Sequence, residues 1–293
     1  MKIAVLSDIH GNYIALEACV KVIRKEHVDA IIFLGDYLGE LAYPRRTLDA
    51  LARLEQEYEC IFLRGNKEDY WINYTYRREE EWKYGSTTTG MLLYDYEALT
   101  EQDIKKFMEF PYAKHLEMPG FPKIAIYHGS NGMRGDKLPL NKDNSHILFD
   151  DTDAKIVLCG HTHRRNVISR GDRILLNPGA VGLSLGAGGK AQFMILESAD
   201  LEEGNALPWA YQMFDVSYDV GAAIEELREE GLYEKAPYWT RMTERVLHGL
   251  EPSHGHLLKR AMQLYYNDIG QWVWPEIPEE YFEKALAILD KNA

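Results

Sequence analysis

A chain of 293 residues, 46% apolar and 27% charged, can bury the core of one large domain, or of a main domain with an appendage. Its formal net charge of -13 excludes the basic stripe of a long nucleic-acid groove, yet an acidic protein still binds phosphate where metals supply positive charge.

Ile3-Ala4-Val5-Leu6 reads as a buried strand and runs into Ser7-Asp8-Ile9-His10-Gly11-Asn12, followed by a helix over residues 12–25. Ala30-Ile31-Ile32-Phe33-Leu34 is a second strand ending at Gly35-Asp36. A helix over 44–56 then leads to Cys60-Ile61-Phe62-Leu63 and Gly65-Asn66. Strand, helix and strand in succession make parallel crossovers, so the core is α/β. Residues 67–119 turn charged and aromatic with helical spacing, including a helix start at Thr100, and are expected as a helical insertion over the sheet. Lys123-Ile124-Ala125-Ile126-Tyr127 and Lys155-Ile156-Val157-Leu158-Cys159 are further strands, ending at His128-Gly129 and Gly160-His161-Thr162-His163. Ile174-Leu175-Leu176 enters Asn177-Pro178-Gly179-Ala180-Val181-Gly182. A turn at Gly186, Gly188 and Gly189 follows, and then strands over 191–196 and 209–214. Past Asp215 the pattern is helical: Asp219 suits a cap, Pro237 and Pro278 suit helix starts, and Gly231 and Gly270 suit helix ends. The expected organisation is a main domain over 1–215 and a helical extension over 216–293.

Cys19, Cys60 and Cys159 are few, widely spaced and set among apolar neighbours, as expected of buried reduced thiols. No apolar stretch approaches the ~20 residues of a membrane span, and Met1-Lys2 leads straight into a strand without a signal-peptide core. The expected compartment is the cytoplasm.

Five apolar runs each end in residues that bind metals: Asp8 and His10, Asp36, Asn66, His128, then His161 and His163. In open α/β sheets ligands gather beyond the carboxyl ends of strands, so these five stretches can converge on one volume. Asp8 and His10 alternate around Ile9, as His161 and His163 do around Thr162, which aims both members of each pair at one cation. Carboxylate, imidazole and amide oxygen without thiolate suit manganese, iron or zinc better than calcium or a lone magnesium. Seven ligands are too many for one zinc and fit two metals that share Asp36 as a bridge. Taken singly, an Asp-x-His is ordinary helix-cap chemistry and Gly35-Asp36 or Gly65-Asn66 ordinary turn chemistry; together they define a site.

This series resembles the calcineurin-like metallophosphoesterase superfamily. Ser7-Asp8-Ile9-His10-Gly11-Asn12 and 177–182 are similar to its small bacterial and archaeal phosphodiesterase branch, over roughly residues 1–215. The resemblance implies two facing mixed sheets flanked by helices, with a dinuclear site at one edge. It assigns Asp8, His10, Asp36 and His163 to one metal, and Asp36, Asn66, His128 and His161 to the other. Asp36, Asn66 and His161 are the expected catalytic residues, and Asn12 is a phosphate contact unless it serves only as a helix cap. Many relatives carry histidine directly after the asparagine; here it is Lys67. With an ordinary pKa of ~10.4, Lys67 stays charged at neutral pH and favours phosphate binding over proton donation.

The implied activity is metal-dependent hydrolysis of small phosphodiesters or nucleotide polyphosphates by a metal-activated hydroxide. No protein nucleophile is needed. A phosphoprotein phosphatase is an alternative, as is a non-catalytic scaffold on the same fold, though the complete ligand set argues against the scaffold. A nuclease conflicts with the acidic balance. The tail's Trp239, Trp272, Trp274, Tyr233, Tyr238, Tyr265, Tyr266 and Tyr281 read mainly as core or as a homo-oligomer contact. The tail is expected to cover part of the cleft or to build a subunit contact, and His248, His254 and His256 are expected at the surface.

Overall fold

The computed structural model describes residues 1–77, 81–129, 146–198, 209–273 and 275–291. In chain order it forms β1 (Lys2–Leu6), α1 (Tyr13–Glu26), β2 (Ala30–Phe33), α2 (Pro44–Glu57), β3 (Glu59–Phe62), α3 (Asn66–Tyr76), α4 (Gly90–Ala98), α5 (Glu101–Glu109), β4 (Ala113–Leu116), β5 (Ile124–Tyr127) and α6 (His146–Asp150). The chain continues through β6 (Ile156–Leu158), β7 (Asn166–Arg170), β8 (Arg173–Asn177), β9 (Ala191–Ser198), β10 (Trp209–Val216), α7 (Val220–Glu229), α8 (Leu232–Lys235), α9 (Pro237–Leu247), α10 (His254–Ile269) and α11 (Glu279–Lys291).

Two five-stranded mixed sheets result, in the orders β10-β9-β1-β2-β3 and β4-β5-β6-β8-β7. β1, β2 and β3 are parallel neighbours joined through α1 and α2, and β9 closes against β1 in the antiparallel sense. Strand parity then sorts the side chains. Ile3, Val5, Ala30, Ile32 and Leu34 face the second sheet, meeting Ile124, Ile126, Ile156, Leu158 and Leu176 in one buried cluster. Ala4, Leu6, Ile31 and Phe33 face the other way, onto Leu16, Cys19, Ile23, Leu51 and Leu54 of α1 and α2. Both faces of these strands are dry, which is why their sequences are continuous apolar runs rather than alternating ones. Truncating Ile32 to alanine in such a core typically costs ~2–5 kcal/mol.

Local signals act where they were expected. Asn12 caps α1 by accepting the Ala15 N–H at 3.0 Å, and Asp219 caps α7 through the Ala222 N–H at 2.9 Å. Thr100 and Asp103 cap α5 reciprocally, and Pro44 and Pro237 open their helices.

Two elements depart from the sequence reading. β4 lies inside the stretch expected to be helical, because Ala113, Lys114 and His115 are exposed on an edge strand and carry no apolar alternation. β7 is a second edge strand with only Ile168 buried. The three cysteines are unpaired, with Cys19 and Cys159 buried and Cys60 half-buried. Among the described residues no helix is long and apolar enough to cross a membrane.

Candidate metal centre

The carboxyl ends of β1, β2, β3, β5 and β6 meet at one edge through backbone bonds between their loops. The Asp8 N–H donates to Gly35 O at 3.1 Å, the Gly160 N–H to His128 O at 2.7 Å, and the Gly182 N–H to Asp8 O at 2.9 Å. Such close packing requires glycine. A Cβ on Gly65 would stand 2.2 Å from Asp36 Oδ1, and one on Gly182 would stand 1.9 Å from Ile9 O.

Two triads of potential ligands occupy this edge: Asp8, His10 and His163, and Asp36, His128 and His161. Asn66 Oδ1 lies 3.2 Å from His128 Nε2, so all seven sequence-predicted ligands come together. Asp36 Oδ2 stands between the triads, 3.7 Å from His10 Nε2 and 3.5 Å from His128 Nε2.

The convergence is not achieved by strand alternation. Asp8, His10, Asp36, His161 and His163 all have left-handed backbone, with φ of 54°, 51°, 57°, 67° and 54°. Each such residue costs ~1–2 kcal/mol, and the cost is tolerated because the loop hydrogen bonds fix the turns. Ile9 is buried between Asp8 and His10 as expected, but by a turn rather than by pleating.

The ring orientations are set by acceptors. His128 Nδ1 donates to Leu34 O at 2.7 Å, His163 Nδ1 donates to Leu183 O at 2.9 Å, and His10 Nδ1 is ion-paired with the Glu40 carboxylate. A carbonyl or carboxylate can only accept, so each Nδ1 carries hydrogen and each Nε2 turns inward. His10 Nε2 and His163 Nε2 are 2.9 Å apart. Asp8 Oδ1 faces both, at 3.9 and 3.6 Å, and is buried without a hydrogen-bond partner, while Asp8 Oδ2 accepts from Ser7 Oγ and the His161 N–H. One shared proton would pair the two nitrogens yet leave the oxygen stranded. A cation among the three satisfies all of them, so the residues fit a metal.

Electrostatics point the same way. Burial pushes Asp8 up to about 6. Burial works against charge on Asp36 too, but His128, His10 and His161 outweigh it and hold this carboxyl well below its ordinary range. Burial opposes charge on His128, yet Asp36 lifts it to about 10. Burial and the neighbouring His10 push His163 well down.

Several residues that support the site were given no role in it by the sequence reading. Glu68 accepts the N–H groups of Gly65, Asp36 and Tyr37 at 2.7, 3.1 and 2.9 Å, tying the β2 and β3 loops together. Its position three residues after Gly65 is a capping-box spacing, a signal present in the sequence. Asn177 donates to Gly160 O at 2.8 Å and steadies the loop of His161 and His163. Glu40, a charged residue inside the apolar stretch Tyr37-Leu38-Gly39-Glu40-Leu41-Ala42, is buried and also accepts from Lys67 Nζ and, at 3.4 Å, from Trp239 Nε1.

The structure also places Asn12, His254 and Lys67. Asn12 is 1% exposed, and its side chain is engaged at both ends, by the Ala15 N–H and by Gly182 O at 3.0 Å. This is the helix-cap role that the sequence reading set beside phosphate contact. His254, expected at the surface, is half-buried: its ring lies 4.6 Å from that of Trp239 and bonds Thr243 Oγ1 at 2.9 Å. Burial lowers its pKa to about 4. Lys67 is buried in the first turn of α3, 5.6 Å from the Trp239 ring centroid. Trp272 is exposed and stacked on Tyr266, whereas Trp274 lies outside the described residues.

Two mixed sheets flanked by helices, with paired His/Asp triads at one strand edge, define a metallophosphoesterase, a class of hydrolase. The chain belongs to the calcineurin-like phosphoesterase superfamily, whose domain profile matches residues 1–200. It is 24% identical over 268 residues to an uncharacterized protein of Methanocaldococcus jannaschii, covering 84% of this chain and 98% of that one. Its fold is similar to that of a hypothetical protein from Pyrococcus horikoshii OT3, with a TM-score of 0.68, 20% identity and coverage of 86% and 99% of the two chains. It is also similar to a metallophosphoesterase from Sphaerobacter thermophilus, with a TM-score of 0.63, 21% identity and coverage of 85% and 99%.

Proposed function

We propose that this protein hydrolyses small phosphodiesters or nucleotide polyphosphates with two divalent transition-metal ions, manganese being favoured. Asp8, His10 and His163 would hold one ion and Asn66, His128 and His161 the other, with Asp36 shared. The observation that carries this reading is the stranded Asp8 Oδ1 facing two inward imidazole nitrogens. When bound, such a pair of ions activates water as the nucleophile and neutralises phosphate charge.

The chain's own residues supply positioning. Glu40 fixes the His10 ring. It also pins Lys67: burial opposes charge there, but the carboxylate outweighs it and raises the lysine pKa. A lysine so held is a poor proton donor and a fixed positive charge beside the cluster. It suits substrates whose leaving group needs little protonation, such as a nucleotide phosphate. Trp239 and His254 bring the C-terminal helices against this corner, which supports a role for them in bounding the cleft.

The test is hydrolysis of bis(p-nitrophenyl) phosphate with added manganese, beside the monoester, a phosphopeptide and single-stranded DNA. The reading expects the diester to be turned over best and chelation to abolish turnover. Metal-independent turnover, or preference for the phosphopeptide, would contradict it.

A further inference from the structure

The loop that steadies His163 also walls a cavity. Leu185 donates its N–H to His163 O at 2.8 Å, and Leu183 O accepts from the His163 ring. Next to this loop lies an open cavity of about 460 Å³ whose charged lining is Arg164, Arg165, Lys190 and Asp215. Three cations gather here in a chain of net charge -13, facing the Asp215 carboxylate of the lining and Glu251, which pairs with Arg164. Arg164 follows the candidate ligand His163 directly, and consecutive Cα atoms are ~3.8 Å apart, so one wall of the cavity is built on the residue next to that ligand.

The three cations are not equivalent. Arg165 is structural: it donates to Phe214 O at 2.8 Å and pairs with Asp215 at 3.2 Å, and Gln192 braces that carboxylate at 2.9 Å. Arg164 pairs with Glu251, but both side chains are nearly half exposed, so an incoming anion can displace the pair cheaply. Lys190 is exposed and has no ion-pair partner among the described residues. Gly186, Gly188 and Gly189 all have positive φ, which folds the connecting loop tightly enough to return Lys190 to the same wall as Arg164.

We propose that this cavity is an anion subsite for a phosphate group of the substrate other than the one attacked. The substrates of choice then carry two or more linked phosphates, the non-scissile one lying between Arg164 and Lys190. This deepens the function proposed above and rests on it for where the scissile phosphate sits.

The probe is inorganic pyrophosphate, titrated calorimetrically into the full chain as purified, with metal content measured on each sample. Lys190→Ala and the double variant Arg164→Ala/Lys190→Ala are compared with Lys123→Ala, which removes the same charge from a distant exposed position. The double variant is expected to bind pyrophosphate at least tenfold more weakly at unchanged metal content, Lys190→Ala to fall between, and Lys123→Ala to match the parent. Equal affinity in the parent and the double variant, no binding by the parent, or equal weakening by Lys123→Ala overturns the subsite. Turnover of bis(p-nitrophenyl) phosphate by the parent reports on the metal reading separately.

Discussion

The two triads are built alike, and His163 like His128 turns on a backbone carbonyl, but the His10 ring is oriented by different means. His128 takes its orientation from a backbone carbonyl, Leu34 O, at the end of β2. His10 takes its orientation from a side chain, Glu40, which is shared with Lys67 of α3 and Trp239 of α9. The first arrangement comes with the sheet and no substitution can remove it. The second is an ionisable hub between the metal edge and the C-terminal helices, and that is where a member of this superfamily can be tuned.

Asp36→Asn touches both triads and should have the largest effect. Metal content and turnover are expected to fall well beyond the 10–100-fold typical of an outer partner. Elemental analysis with a diester assay checks this. Glu40→Ala comes next, with metal affinity expected to fall ~10–100-fold. It also strands the buried Lys67, for which a loss of ~3–5 kcal/mol in denaturant unfolding is expected. Adding Lys67→Met should restore the stability and leave the metal affinity low. If the double variant regained both, the asymmetry between the triads would be lost.

Proton uptake offers a finer cut. Asp36 lifts His128 to about 10, so below that pH a cation at Nε2 must displace a proton. Metal affinity should therefore rise with pH, by about tenfold per unit for each proton released. Calorimetry in buffers of different ionisation enthalpy measures the count, and a pH-independent affinity would remove the argument.

The smallest effect concerns Asp95, which is fully buried with both carboxyl oxygens unpaired. Burial and Glu40 raise its pKa well above the ordinary 3.8. A carboxyl with a raised folded pKa contributes fully below 3.8, and its contribution is lost as pH climbs through the folded value. Asp95→Asn should thus stabilise the protein at neutral pH by ~1–3 kcal/mol and have little effect near pH 3. Thermal unfolding at the two pH values distinguishes this from a pH-independent change.

The strand ends were legible because dry strands of a two-sided sheet are unbroken apolar runs, and a ligand at the end of each is conspicuous. The helix caps at Asn12, Thr100 and Asp219 were legible because capping is local. β4 and β7 were not, since edge strands bury little and lose the alternation that marks a strand. Glu40 and Trp239 escaped for another reason: they are 199 residues apart, and only the fold makes them neighbours. The left-handed turns at Asp8 and His10 were also hidden, because nothing in an Asp-x-His run distinguishes a turn from pleating.

The most direct test of the central claim is anomalous diffraction from a crystal equilibrated with manganese. Two peaks ~3.5–4 Å apart are expected, one against Asp8, His10 and His163, the other against His128, His161 and Asn66, with Asp36 between them. A single peak away from Asp36, or no peak at saturating manganese, would contradict the account.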